Sequence, residues 1–280
     1  MFWAILATSL SNIWKVFFKQ TTNYKISANL NDFLGHTLAL ICIFVIFLLW
    51  KFNVILSSFF DYFLILITFV LFLIQININQ FVFRQEKFSS LVPFENLWKI
   101  LTILLWVFVL GEDTSYISLW IFLLAIWVII INSINFKTLK FSRNILLFCL
   151  AQCLVAVANF MTWYIIISNG SLSYYTVYIL LSFLFVWSIC FFTWQIKWIK
   201  KLDKKYYILR NIWWLVWVSW LINILLIWDL WLSVTTILWF FWIATWLITS
   251  YIVSKDIPTL RNVFVIIIVI TLITLWYILK

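Results

Sequence analysis

Residues 54–76 read VILSSFFDYFLILITFVLFLIQI, a run that holds one carboxylate, Asp61, and no basic residue. An apolar stretch of roughly 20 residues is long enough to cross the hydrocarbon core as an α-helix. Bilayers offer no water to backbone amides, so the segment satisfies its own N–H and C=O groups by coiling. A soluble domain has no place for so long an apolar run.

The same composition extends in both directions. Of 280 residues 66% are hydrophobic and 10% charged, with only 3 Gly and 2 Pro to break helices. The pattern predicts helices at 35–50, 54–76, 97–110, 116–136, 144–168, 174–195, 207–228, 230–253 and 263–279. Residues 207–253 need two crossings, because one helix of that length would overshoot the bilayer by more than double. Residues 1–14 are short for a crossing and are expected to lie at the interface. The expected fold is therefore all-α, a polytopic transmembrane bundle of about 7–9 spanning helices over residues 35–280. Residues 1–34 precede it as a short apolar or interfacial segment and a basic loop. Met1 to Leu10 lacks a basic n-region and a small-residue cleavage pattern, so no removable signal is expected.

A formal net charge of +10 on a soluble chain would suggest nucleic acid, but here the cations sit in gaps between apolar runs. Lys137, Lys140 and Arg143 make one basic loop, and Lys197, Lys200, Lys201, Lys204, Lys205 and Arg210 make another. Residues 169–173 between them are neutral, Asp229 stands alone in the next connection, and Lys255 and Arg261 follow. Consecutive loops of a polytopic protein alternate sides, and the charges alternate with them. The positive-inside tendency then puts the basic loops, with residues 77–96, on the matrix side of a mitochondrial inner membrane. An Arg-Asn pair opens three apolar runs, at Arg143-Asn144, Arg210-Asn211 and Arg261-Asn262. Asn is suited to cap a helix, and Arg143, Arg210 and Arg261 are suited to hold lipid head groups, a cardiolipin-like phospholipid among them. Nucleic acid is not expected as a partner.

Few residues carry chemistry. Asp61 is the intramembrane acid, and such a group is a functional hypothesis by default. An antiporter-type proton pump strings lysines through the middle of several helices, whereas here they cluster at helix ends, with Lys99 near the start of its span. His36, the sole histidine, is expected to cap or hydrogen-bond near the start of a helix, and a bis-histidine haem is excluded for the chain alone. Cys42, Cys149, Cys153 and Cys190 lie in apolar segments as buried thiols, so neither a metal site nor a disulfide framework is expected. Gln152, Ala156 and Asn159 fall on one face of 144–168, a polar seam for helix packing. Trp213, Trp217 and Trp220, then Trp239, Trp242 and Trp246, form two stripes suited to packing or lipid contact. No catalytic residue and no cofactor bound by this chain alone is expected.

The residue usage also bears on origin. Phe, Ile, Asn, Lys and Tyr are abundant while Gly, Pro and Ala are scarce, as very AT-rich DNA imposes, yet Trp occurs 21 times. A genetic code that also reads UGA as Trp, as in mitochondria, accounts for both.

Four local strings carry a resemblance. LGHTLAL at 34–40, KFNVILSSFFD ending at Asp61, MTW at 161–163 and FFTWQ ending at Gln195 resemble landmarks of cytochrome c oxidase subunit III. The chain departs from that family where a histidine pair would follow Thr162-Trp163 and Tyr164-Ile165 stands instead. The resemblance implies a core subunit without redox centres that packs beside the catalytic subunit, holds phospholipid and supports proton uptake, with Asp61 as counterpart of the family's acid. Other respiratory-complex subunits and membrane lipids would be its partners. Two further readings are a proton-translocating subunit of complex I or ATP synthase, and a haem-handling assembly factor whose pocket the tryptophan stripes would line.

Overall fold

The computed structural model describes residues 26–50, 54–87, 97–110, 134–135 and 140–206, together with scattered residues elsewhere. Five helices hold most of these: α1 (Ala28–Trp50), α2 (Phe59–Gln85), α3 (Leu97–Leu110), α4 (Arg143–Asn169) and α5 (Ser171–Phe192). A 3-10 segment follows at Gln195–Lys201, and a two-residue antiparallel ladder pairs Ile134–Asn135 with Lys140–Phe141 ahead of α4. The expected helix 116–136 therefore ends before Ile134. The expected helix 207–228, all of 230–253 but the helical Tyr251, both tryptophan stripes, Arg210 and Arg261 lie outside the described residues; of 263–279 residues 263, 264, 267, 268, 271 and 272 are described, and all are helical.

The starts of α1 and α2 are set by serines. Ser27 Oγ accepts from Leu30 N at 3.2 Å, so α1 begins at Ala28 rather than at residue 35. Ser58 Oγ accepts from Phe60 N at 3.1 Å, so α2 begins at Phe59 rather than 54. α2 then runs past residue 76 to Gln85, through a stretch expected to be loop. Its amides are accommodated locally and across helices: Asn77 Nδ2 donates to Leu73 O at 2.8 Å and Gln80 Nε2 to Ile26 O at 2.6 Å. α3 has the bounds expected of it, and α4 differs by one residue at each end.

α1, α2, α4 and α5 alternate in direction. At one end of the α2–α4 pair Asn169 Nδ2 donates to Asp61 Oδ2 at 2.9 Å; at the other Asn144 Nδ2 donates to Glu86 Oε1 at 2.7 Å. The two are thus antiparallel along their whole length. Gly170 turns the chain from α4 into α5 at φ +81°, a conformation an L side chain rarely adopts. α5 pairs antiparallel with α1, since Phe33 stacks on Phe183 with centroids 5.8 Å apart and Ser27 donates to Gln195. Residues 84–87, 143–144 and 195–206 consequently share one end of the bundle with the start of α1, and residues 54–58 and 169–171 mark the other. Among the described residues Arg84, Lys87, Arg143, Lys197, Lys204 and Lys205 all fall at the first end and no cation at the second.

Four of the helices are long and apolar enough to cross a membrane, with mean hydropathy from 1.4 in α1 to 2.4 in α2. Their outer faces carry large apolar side chains, such as Phe44, Leu48, Phe63, Leu150, Leu184 and Phe191, all exposed. Inside lie Asp32, Asp61, Thr68, Gln152, Thr162 and Ser182, all buried. Apolar surface outside and hydrogen-bonding groups within are what a lipid solvent selects, since lipid tails do not reward burying Leu but polar groups still need partners. The chain is an integral membrane protein by this criterion, with four helices able to cross among the described residues against the 7–9 expected.

Candidate functional site

Two polar clusters stand in the bundle, one near each end. The first surrounds Asp61. Ser58 at the N-cap places Asp61 in the first turn of α2, where the helix dipole favours a carboxylate. It is buried at 4% exposure. Its Oδ2 accepts from Asn169 Nδ2 at 2.9 Å and from Ser57 Oγ at 3.2 Å, while Asn169 Oδ1 accepts from Ser57 N at 2.6 Å. Ser168 Oγ and Ile165 O also engage Asn169 Nδ2, at 2.8 and 3.0 Å. Asp61 thus ties the start of α2 to the end of α4. It is buried, as expected of an intramembrane acid, but it sits at the end of its helix and not in mid-span.

The second cluster was not legible as a site. On α1 a stripe at helical spacing, Ala28, Asp32, Gly35, Ala39 and Ile43, is buried, and its small residues let neighbouring backbones approach. Asp32 and His36 stand one turn apart with side-chain exposures of 6% and 11%. His36 Nδ1 lies 3.1 Å from Asp32 O and 3.4 Å from Asp32 Oδ2. His36 is therefore in the third turn of α1, inside the bundle, and not a group near solvent at a helix start. Its ring meets Phe69 of α2 edge-on at 6.0 Å and Tyr178 of α5 at 6.2 Å. Next to Asp32, Asn31 Oδ1 accepts from Tyr206 Oη at 2.7 Å, and both residues are buried.

α5 supplies the facing wall. Tyr174, Tyr178, Ser182, Val186 and Cys190 recur at every fourth position, and all but the half-buried Tyr178 are fully enclosed. Tyr174 Oη and Thr162 Oγ1 are 2.8 Å apart, which joins α5 to α4, and Tyr174 stacks on Tyr178 at 5.8 Å. A column of hydrogen-bonding side chains therefore runs from Tyr206 and Asn31 through Asp32, His36 and Tyr178 to Tyr174 and Thr162.

The remaining expected residues fall as follows. Gln152 on α4 is buried at 2% exposure and Asn159 is half-buried. Between them Ala156 O accepts from Thr102 Oγ1 of α3 at 3.3 Å, so α3 packs against α4 at Ala156. Arg143 is exposed at the first position of α4. Its neighbour Asn144 does not cap the helix, since Ser142 holds the N-cap position and Asn144 reaches Glu86 instead. Cys149 and Cys153 are half-buried free thiols. Among the described residues no three His, Cys, Asp or Glu side chains gather as a metal would require. Trp194 turns the chain out of α5 at φ 57°, and Lys197 Nζ lies 4.1 Å above its ring at the basic end.

Fold and clusters together define a class, a polytopic helical membrane protein with a polar interior. No protein-family model matches the chain, and no curated protein matches it.

Proposed function

We propose that the chain is a non-redox integral subunit of a mitochondrial respiratory-chain complex, of the cytochrome c oxidase subunit III type, that packs beside catalytic subunits, holds structural phospholipid and supports proton uptake. One observation carries this reading. The landmarks of the resemblance, read from separate parts of the sequence, all serve contacts between helices. His36 meets α2 and α5, Asp61 ties α2 to α4, Thr162 bonds Tyr174, and Gln195 accepts from Ser27 at the start of α1. Residues that hold helices together are what a scaffolding subunit retains. Cations gathered at one end, with Arg143 exposed among them, suit anionic head groups on that side, and the broad apolar exterior suits lateral packing against other membrane subunits.

A second reading, a proton-translocating subunit of complex I or ATP synthase, draws on the Asp32–His36 pair, an ionisable couple within a spanning helix. Purification of the native assembly in mild detergent, with mass spectrometry of the neighbours, tests both. Haem-copper subunits in stoichiometric amount support the first reading. NADH dehydrogenase or rotary ATPase subunits overturn it.

A further inference from the structure

We propose that Asp32 and His36, and not Asp61, form the proton-exchanging group of this chain, a pair that loads from the basic end of the bundle. The proposal deepens the reading of proton uptake above and rests on it for the direction of loading.

Position separates the two acids. α1 starts at the end that holds Arg84, Lys87, Arg143, Lys204 and Lys205, and Asp32 lies one turn into it. His36 stands about 12 Å along the helix axis from Ala28, at 1.5 Å per residue. Asp61 is at the opposite end, among Ser57, Ser58, Asn169 and Gly170, where no described residue is basic. If basic loops mark the side from which protons are taken, Asp61 faces away from it.

Chemistry separates them too. Both donors on Asp61 Oδ2 also belong to the joint between α2 and α4, and the network is that of a helix tie. Asp32 is paired with a base. With its hydrogen on Nδ1, His36 donates to Asp32 O at 3.1 Å, with Asp32 Oδ2 3.4 Å from the same nitrogen, and Nε2 keeps the lone pair that can accept a proton. One proton passed from hydronium to Nε2, which breaks one O–H bond, forms one N–H bond and leaves water, converts a carboxylate beside a neutral imidazole into a carboxylate–imidazolium pair with no net charge. Its loss reverses the step, and no other bond changes. A buried change of this size is strongly felt where water is excluded.

Two neighbouring helices bring aromatic and thiol groups to the pair. From α2 the pair meets Phe69; from α5 it meets Tyr178, and Cys190 lies within electrostatic reach of Asp32. Tyr206, hydrogen-bonded to Asn31 and with its ring 5.7 Å from that of Tyr24, directly follows Lys204–Lys205 in the chain. Tyr178, Cys190, Tyr206 and Tyr24 are thus titratable groups around the pair among the described residues.

The test is pH-difference infrared spectroscopy of the full chain in nanodiscs, with ring-labelled histidine, the chain's only one. Expected are imidazole bands that titrate together with a perturbation of a carboxylate. Asp32→Asn, nearly isosteric, should abolish the carboxylate component, Asp32→Glu should restore it at a shifted frequency, and Asp61→Asn should leave the spectrum as in the wild type. A spectrum unchanged by Asp32→Asn, or a carboxylate component lost in Asp61→Asn, overturns the proposal. Failure here is distinct from failure of the subunit reading, since the spectra are taken on the isolated chain and the partners are found by co-purification.

Discussion

Removing the side chain of Asn169 tests how the bundle is held at the end where Asp61 lies. Asn169→Ala deletes the donor to Asp61 Oδ2 and the acceptor of Ser57 N, at 2.9 and 2.6 Å. Ser57 is exposed, so solvent or head groups replace its partner at little cost. Asp61 is 4% exposed, and what it loses is not readily replaced. Stranding a buried polar group costs about 1–3 kcal/mol in soluble proteins, while interhelical hydrogen bonds in bilayers average about 0.6 kcal/mol. The remaining donor, Ser57 Oγ at 3.2 Å, puts the expectation between these, at about 1–2 kcal/mol. The assay is reversible unfolding in bicelles, as a double-mutant cycle of Asn169→Ala with Asp61→Ala. The two residues touch, so a coupling of about 1 kcal/mol is expected. A coupling below about 0.3 kcal/mol, the limit for independent sites, would refute the reasoning.

Other perturbations bear on separate joints. Gly170→Ala should destabilise by about 1–3 kcal/mol through backbone strain alone, because φ is +81°, ψ is 155° and an added Cβ meets nothing within 4 Å; Gly170→Asn should lose as much in the same unfolding assay, because Asn is favoured at positive φ only in the left-handed helical region, which this ψ lies outside. Tyr174→Phe removes the 2.8 Å contact with Thr162 at a buried point and should cost about 1 kcal/mol, with Thr162→Val adding little on top of it. Asn144→Ala should free the start of α4 from Glu86 and speed hydrogen exchange at residues 143–146, leaving residues 165–169 as protected as in the wild type.

Much of this architecture is written in the apolar runs. α3 and α4 begin and end within a residue of where hydropathy puts them, because each is bounded by polar or charged residues. α1 and α2 begin elsewhere for one reason: hydropathy averages over the residues that decide a helix start. Ser58-Phe59-Phe60-Asp61 has the spacing of a capping box, which signals both the start at Phe59 and the place of Asp61 in the first turn. Ser27 does the same for α1, and the polar stretch Asn29 to Asp32 hid the first turn of a spanning helix. The i,i+4 spacing of Asp32 and His36, and the four-residue recurrence from Tyr174 to Cys190, were also present in the sequence. That they face each other depends on α1 lying against α5, a pairing that no local pattern carries.

The arrangement of the ends is the claim from which the rest follows, and labelling with a membrane-impermeant thiol reagent tests it most directly. Single cysteines would replace Lys87, Lys204 and the exposed Ile55 in sealed, oriented vesicles, with the native thiols, all within helices, as the background. Lys87→Cys and Lys204→Cys should react from one side and Ile55→Cys from the other. Reaction of Ile55→Cys and Lys204→Cys from the same side would contradict the account.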